Sequence, residues 1–225
     1  MNRPPPPRNN AGRTRRLASV TLLPDAGMQR PARGAVVWFT GLSGAGKTTL
    51  AHGAARRLRL AGVPVEVLDG DEVRPHLSQG LGFSKADRDT NVIRVGYVAS
   101  LLAKHGVVVL VSLVSPYRVA RAAARQAAGN VGAHFAEVFV DAPVELCTQR
   151  DVKGLYQRAI AGEIPNFTGI SDPYEPPDAS ELVIPTGDEP VDSSVARVVT
   201  YLERVVRVVV GPDVQIRERS GGARA

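Results

Sequence analysis

The chain is poor in the residues that stabilise secreted proteins or anchor membrane proteins. Cys147 is the only cysteine among 225 residues, so no disulfide can close within the chain. It falls in a stretch of helical pattern and reads as a small packing residue in a reducing compartment. Aromatic residues make up 5%, with a single tryptophan, Trp38, in an apolar run that marks it as core. No apolar run is long enough to cross a bilayer. The N-terminus has no apolar stretch of signal-peptide type, so a cytoplasmic location is expected. His52, His76, His105 and His134 are scattered, without metal-ligand spacing. There are no internal repeats.

Acidic residues are nearly missing from the first 33 positions, where Asp25 faces seven arginines. That segment carries the whole net charge of +6, and from Gly34 onward 21 basic residues balance 21 acidic ones. The positive charge therefore implies neither a nucleic-acid-binding body nor a membrane-binding one. With Pro4 to Pro7 consecutive, residues 1–33 are expected to form a disordered or extended arm. The expected domain covers 34–212, followed by a flexible tail over 213–225.

What is present is a phosphate-binding loop. Gly41, Leu42, Ser43, Gly44, Ala45, Gly46, Lys47 and Thr48 fit G-x-x-x-x-G-K-[ST], and Thr49 follows. The apolar run 35–39 precedes it, and Leu50, Ala51, Ala54, Ala55 and Leu58 recur after it at helical spacing. Strand, glycine loop and helix in that order are the context the motif requires. Backbone N–H groups and the helix N-terminus then face a polyphosphate, Lys47 adds a charge, and the Thr48 hydroxyl can hold Mg²⁺.

Further apolar runs at 65–68, 106–111, 135–140 and 182–184 predict strands buried on both faces. Helices are predicted over 47–61, 88–104, 117–128, 143–150 and 193–209, the last capped by Asp192 or Ser193. The sum is an α/β three-layer fold of the P-loop NTPase type, with a parallel sheet of about five strands flanked by helices. The polar, glycine- and proline-rich stretch 152–178 breaks this rhythm, and about 152–170 of it is expected to form a lid.

Ligands bind at the strand ends of such a sheet. Asp69-Gly70-Asp71 ends the second strand, with Arg74 beyond it. Its carboxylates can approach Mg²⁺ or accept a hydroxyl proton, or Asp71 can simply cap a helix over 72–78. Arg88 and Asn91 share a helical face, and Ser84 or Asp87 can start that helix. Ser115 before Pro116 reads either as the cap of the next helix or as a contact to an anion or hydroxyl.

Together GLSGAGKTT, LDGDEVR, LGFSKADRDTN, SPYR, FVDAPVELCTQRDVKGLY and NFTGISDPYE resemble the adenylyl-sulfate kinase family, in order and interval, over roughly residues 34–186. The resemblance implies transfer of the γ-phosphoryl of MgATP to the 3′-hydroxyl of adenosine 5′-phosphosulfate. It places ATP on Gly41 to Thr49, with Arg150 near the base. It puts the metal at Thr48 and Asp69, and makes Asp71, Lys47 and Ser115 the catalytic candidates. Asp69, Arg74, Phe83, Arg88, Asn91, Val114, Ser115, Lys153, Phe167 and Thr168 would meet the acceptor, with Phe83 and Phe167 sandwiching its adenine and Val114 and Ser115 touching it through backbone and hydroxyl. The serine matching Ser115 has been labelled a phosphoserine intermediate in that family; direct in-line transfer is expected here. Departures are Leu113-Val114 where many relatives carry Phe-Ile, and Val152 where Pro is usual. A homodimer is implied, either free-standing or associated with ATP sulfurylase. The alternatives are another small-molecule kinase of the same fold, or a catalytically inactive nucleotide-binding regulatory domain.

Overall fold

The computed structural model describes residues 34–187 and 189–210, with side chains as far as Arg204. The expected arm over 1–33 and tail over 213–225 lie outside the described residues. The central strand β1, Ala35–Thr40, is buried at every position. It pairs with β3, Val108–Ser112, on one side and β4, His134–Asp141, on the other. β2, Val65–Asp69, pairs with β3, and β5, Leu182–Pro185, pairs with β4. The sheet is parallel throughout, in the order β2-β3-β1-β4-β5. All five predicted strands are present, and all are parallel because helices return the chain across both faces.

β1 shows how the two cores arise. Val37 and Phe39 face one layer, Val36 and Trp38 the other. The first layer holds α1, Lys47–Leu60, and α7, Val191–Val210, which meet through Leu50, Ala54, Leu58, Val195 and Leu202. The second holds α3, Lys85–Lys104, and α4, Arg118–Asn130. Burying an aromatic side chain removes roughly 150–250 Å² from water. At about 25 cal/mol/Å² that is ~4–6 kcal/mol for Trp38, well above the ~1–2 kcal/mol lost in fixing one backbone residue. α3 and α4 pack tightly at Gly96, where a Cβ would lie 2.9 Å from that of Ala124. Glycine therefore stays there despite its cost in a helix interior.

Three short helices complete the domain: α2, Gly70–Leu77, α5, Val144–Arg150, and α6, Leu155–Ile160. α6 lies inside the stretch read as irregular. Asp151 creates it by accepting the N–H groups of Tyr156 and Gln157, both at 3.0 Å.

Several helix starts differ from expectation. α2 is capped by Asp69, not Asp71: the Asp71 N–H bonds Oδ1 of Asp69 at 3.0 Å. α3 starts at Lys85 rather than at 88, and of the two residues expected to start it Ser84 is the cap, its Oγ accepting the Asp87 N–H at 3.2 Å. α7 starts at Val191, so Asp192 and Ser193 lie inside its first turn rather than capping it. Ser115 does not cap α4. The first helical N–H, that of Arg118, is taken at 2.8 Å by Oε2 of Glu175, a partner far along the chain.

Candidate active site

The phosphate loop turns between β1 and α1 through positive φ at Gly41, Gly44 and Gly46. At Gly46 the value is 105°, which L side chains rarely adopt, and this brings Lys47 into the first helical position. Lys47 is buried, and its ammonium donates to the carbonyls of Gly41 at 3.0 Å and Leu42 at 2.7 Å. Burial lowers its pKa to about 8, against the opposing pull of Cys147 and Asp69. The loop is tied down from outside. Tyr156 donates to the Ser43 carbonyl at 2.8 Å and Thr186 to that of Ala45 at 2.7 Å. Arg150 bridges the carbonyls of Gly44 and Thr186 at 3.2 and 2.7 Å.

Thr48 faces the end of β2, and its hydroxyl donates to Oδ2 of Asp69 at 2.6 Å. Ser112, at the end of β3, stands 3.3 Å from the same hydroxyl. Burial pushes the Asp69 carboxyl up, but hydrogen bonds from Thr48, the Asp71 amide and Ser112 outweigh it and hold the pKa below the ordinary value. The result is an ionised carboxylate beside two hydroxyls, a hard oxygen donor set suited to Mg²⁺. Among the described residues no group of three or more His, Cys, Asp or Glu gathers as a metal site.

Beyond Asp69 the cavity widens toward α2 and the start of α3. Asp71 is largely exposed and forms an ion pair with Lys153 across the cavity. The Arg74 guanidinium lies 4.2 Å from the centre of the Phe83 ring. Arg88 donates to the carbonyls of Phe83, at 2.8 Å, and Asn166, and to the hydroxyl of Thr168 at 2.7 Å. Asn91, which lines the same cavity, uses its side-chain oxygen to accept from buried Ser78 at 2.6 Å, so its NH₂ group is not engaged by that bond. Phe83 is 52% exposed. Phe167 instead packs edge-on against Tyr156, with ring centres 5.0 Å apart. Every expected site residue except Gly41 and Leu42 lines one cavity of about 1010 Å³, and those two supply carbonyls to Lys47 from behind.

Sequence reasoning missed the groups under this cavity. Arg121 is buried, and its Nε bonds Oε1 of Glu137 at 2.6 Å. It also donates to the carbonyls of Ser115 at 2.7 Å and Glu175 at 2.8 Å. Tyr117 donates to Asp172 at 2.5 Å, and burial together with that bond raises its pKa to about 12. A charged residue at a buried α4 position opposite Glu137 in β4 was the available signal, hidden because the two are 16 residues apart. Ser115 has φ of 40° and is buried, and its hydroxyl turns inward between Trp38 and Thr40.

A parallel sheet, a glycine loop with buried lysine, and a carboxylate pair facing a charged pocket define a P-loop phosphotransferase. The chain belongs to the adenylylsulphate kinase family, whose model matches residues 33–185. An adenylyl-sulfate kinase of Synechococcus sp. strain JA-3-3Ab is 59% identical over 170 residues, covering 76% of this chain and 94% of that one. One from Chloroflexus aurantiacus is 57% identical over 176 residues, covering 78% and 92%. The structure of an APS kinase of Mycobacterium tuberculosis in complex with AMPPNP and APS is similar at a TM-score of 0.74 and 46% identity, covering 77% of this chain and 99% of that one.

Proposed function

We propose that the chain transfers the γ-phosphoryl group of ATP to the 3′-hydroxyl of adenosine 5′-phosphosulfate, giving 3′-phosphoadenosine 5′-phosphosulfate and ADP. The carrying observation is one continuous cavity that joins the phosphate loop to Asp71, Arg74, Phe83 and Arg88. The relative from M. tuberculosis, solved with both AMPPNP and APS, supports it.

In this reading Lys47 and the loop amides hold the β- and γ-phosphates, and Arg150 steadies the loop beside the nucleotide base. Thr48 and Asp69 hold Mg²⁺, which when bound shields the phosphate charge. Asp71 accepts the 3′-hydroxyl proton as that oxygen bonds to the γ-phosphorus and the bond to the ADP oxygen breaks. Arg74, Arg88 and the Asn91 amide meet the phosphosulfate. Phe83 and Phe167 flank the adenine. Lys153 and Thr168 close the lid over about 152–170. Transfer is direct, because the Ser115 hydroxyl is bonded inside the protein.

The enzyme acts as a homodimer in the cytoplasm. Pairing is supported by the exposed apolar stripe Ile93, Tyr97 and Leu101 on α3, at intervals of one helical turn. The APS kinase of Thiobacillus denitrificans, 38% identical, is hexameric, and this chain spans 30% of its length. An ATP sulfurylase, whose product is the acceptor, is the further partner. ADP release measured with a panel of acceptors tests the reading. Release should depend on adenosine 5′-phosphosulfate; equal release with water alone or with gluconate would refute it.

A further inference from the structure

Ser115 occupies a left-handed conformation that serine adopts at a cost, so something must hold it there. Four contacts do, three of them buried. The Trp38 indole N–H donates to the Ser115 hydroxyl at 3.0 Å. That hydroxyl donates to Oγ1 of Thr40 at 3.1 Å. Thr40 in turn donates to the Val114 carbonyl at 2.8 Å, and Arg121 to the Ser115 carbonyl at 2.7 Å. Trp38 and Thr40 are wholly buried, Arg121 nearly so.

The contacts draw the oxygens of Val114 and Ser115 into the protein. No peptide bond is cis among the described residues. In a trans peptide the N–H points opposite to the carbonyl. The Val114 oxygen faces β1, so the Ser115 N–H faces away from it. Neither that N–H nor the N–H of Val114 has a hydrogen-bond partner among the described residues. Both residues line the cavity. Successive N–H groups around a left-handed residue form a concave donor site for anions and oxygens.

We propose that Trp38, Thr40 and Arg121 are positioning residues that aim the backbone N–H groups of Val114 and Ser115 at the acceptor nucleotide. The Ser115 side chain serves this frame from inside and does not touch the acceptor. The inference rests on the proposed acceptor, and its test separates the two. Wild-type turnover with adenosine 5′-phosphosulfate decides the reaction. The variants decide the frame.

Trp38→Phe keeps a ring and removes the N–H. Losing one aimed donor should raise the acceptor KM on the order of tenfold, with the ATP KM little changed. Ser115→Ala loses that bond and the one to Thr40, so it should raise the acceptor KM at least as much, and the double variant should be no worse than Ser115→Ala alone, because the bond that Trp38→Phe removes is already gone there. Trp38 is the only tryptophan, so ¹⁵N-labelled protein gives one indole N–H resonance. In Ser115→Ala that resonance should move upfield. If Trp38→Phe does not fold, Thr40→Val, which removes the donor to the Val114 carbonyl at nearly constant shape, should show the same selective loss. An unchanged acceptor KM in the folded variants, equal loss for both substrates, or additive effects would overturn the proposal.

Discussion

The hydroxyl of Thr48 donates to Oδ2 of Asp69 at 2.6 Å, joining the phosphate loop to the end of β2. The other oxygen of Asp69 caps α2 at 3.0 Å. One carboxylate thus fixes the distance between the phosphate loop and the start of α2. It also allows a clean separation of structure from chemistry. Asparagine caps helices as well as aspartate does. Asp69→Asn should therefore keep the melting temperature close to wild type while turnover falls and the Mg²⁺ requirement rises. Titrating Mg²⁺ at fixed ATP reads this, and an unchanged Mg²⁺ dependence would remove Asp69 from the metal site.

Lys47 gives two linked expectations. Removing one preorganised charge-stabilising donor costs on the order of 10²–10³-fold in turnover, and Lys47→Ala should fall in that range while remaining folded. The second concerns pH. Burial holds the Lys47 pKa at about 8, so the free enzyme loses this charge as pH rises through that value. A bound polyphosphate favours the charged form and raises the pKa. Nucleotide affinity should then decline as pH rises above about 8, and binding near that pH should take up protons. Calorimetry in buffers of different ionisation enthalpy measures the uptake. Binding with no proton uptake near pH 8 would contradict the assignment.

Arg88 holds the turn at 166–168 against the loop carrying Phe83, and in the proposed reading it meets the acceptor as well. Losing a charged hydrogen bond costs roughly 1.5–3 kcal/mol, or about ten- to a hundredfold in affinity. Arg88→Ala should weaken acceptor binding by that much and leave ATP binding little changed. Amide exchange over 164–170 should also quicken. Faster exchange with normal acceptor affinity would make Arg88 a lid clasp only.

Much of this was legible in the sequence because it is local. The phosphate loop, the Asp69-Gly70-Asp71 turn and the apolar strands are each written in a few consecutive residues. What was not legible depends on contacts between distant residues. Ser115 before Pro116 reads as a helix cap, and locally nothing says otherwise. Trp38, 77 positions earlier, donates to its hydroxyl, and the helix N–H of Arg118 goes instead to Glu175, 57 positions beyond that arginine. A separation of 16 residues hid the pairing of Arg121 with Glu137. α6 was hidden differently: its cap, Asp151, is local, but the glycines around it read as loop.

The stripe on α3 predicts the oligomeric state. Tyr97 is 62% exposed and centres it. Tyr97→Glu would place a charge in the proposed interface, where an unpaired buried charge is strongly disfavoured. Sedimentation should show a dimer for the wild type and a monomer for the variant, with the fold intact by circular dichroism. A wild-type monomer at micromolar concentration would leave the stripe without this role.

The central claim is that one cavity brings ATP to the 3′-hydroxyl of a nucleotide carrying a phosphosulfate. The most direct test follows the label from γ-³²P ATP in the presence of adenosine 5′-phosphosulfate and Mg²⁺. The account predicts stoichiometric appearance of label in a product that a 3′-nucleotidase strips back to unlabelled acceptor, with no label retained on the protein. Label released only as inorganic phosphate, or held on Ser115 at a rate matching turnover, would contradict it.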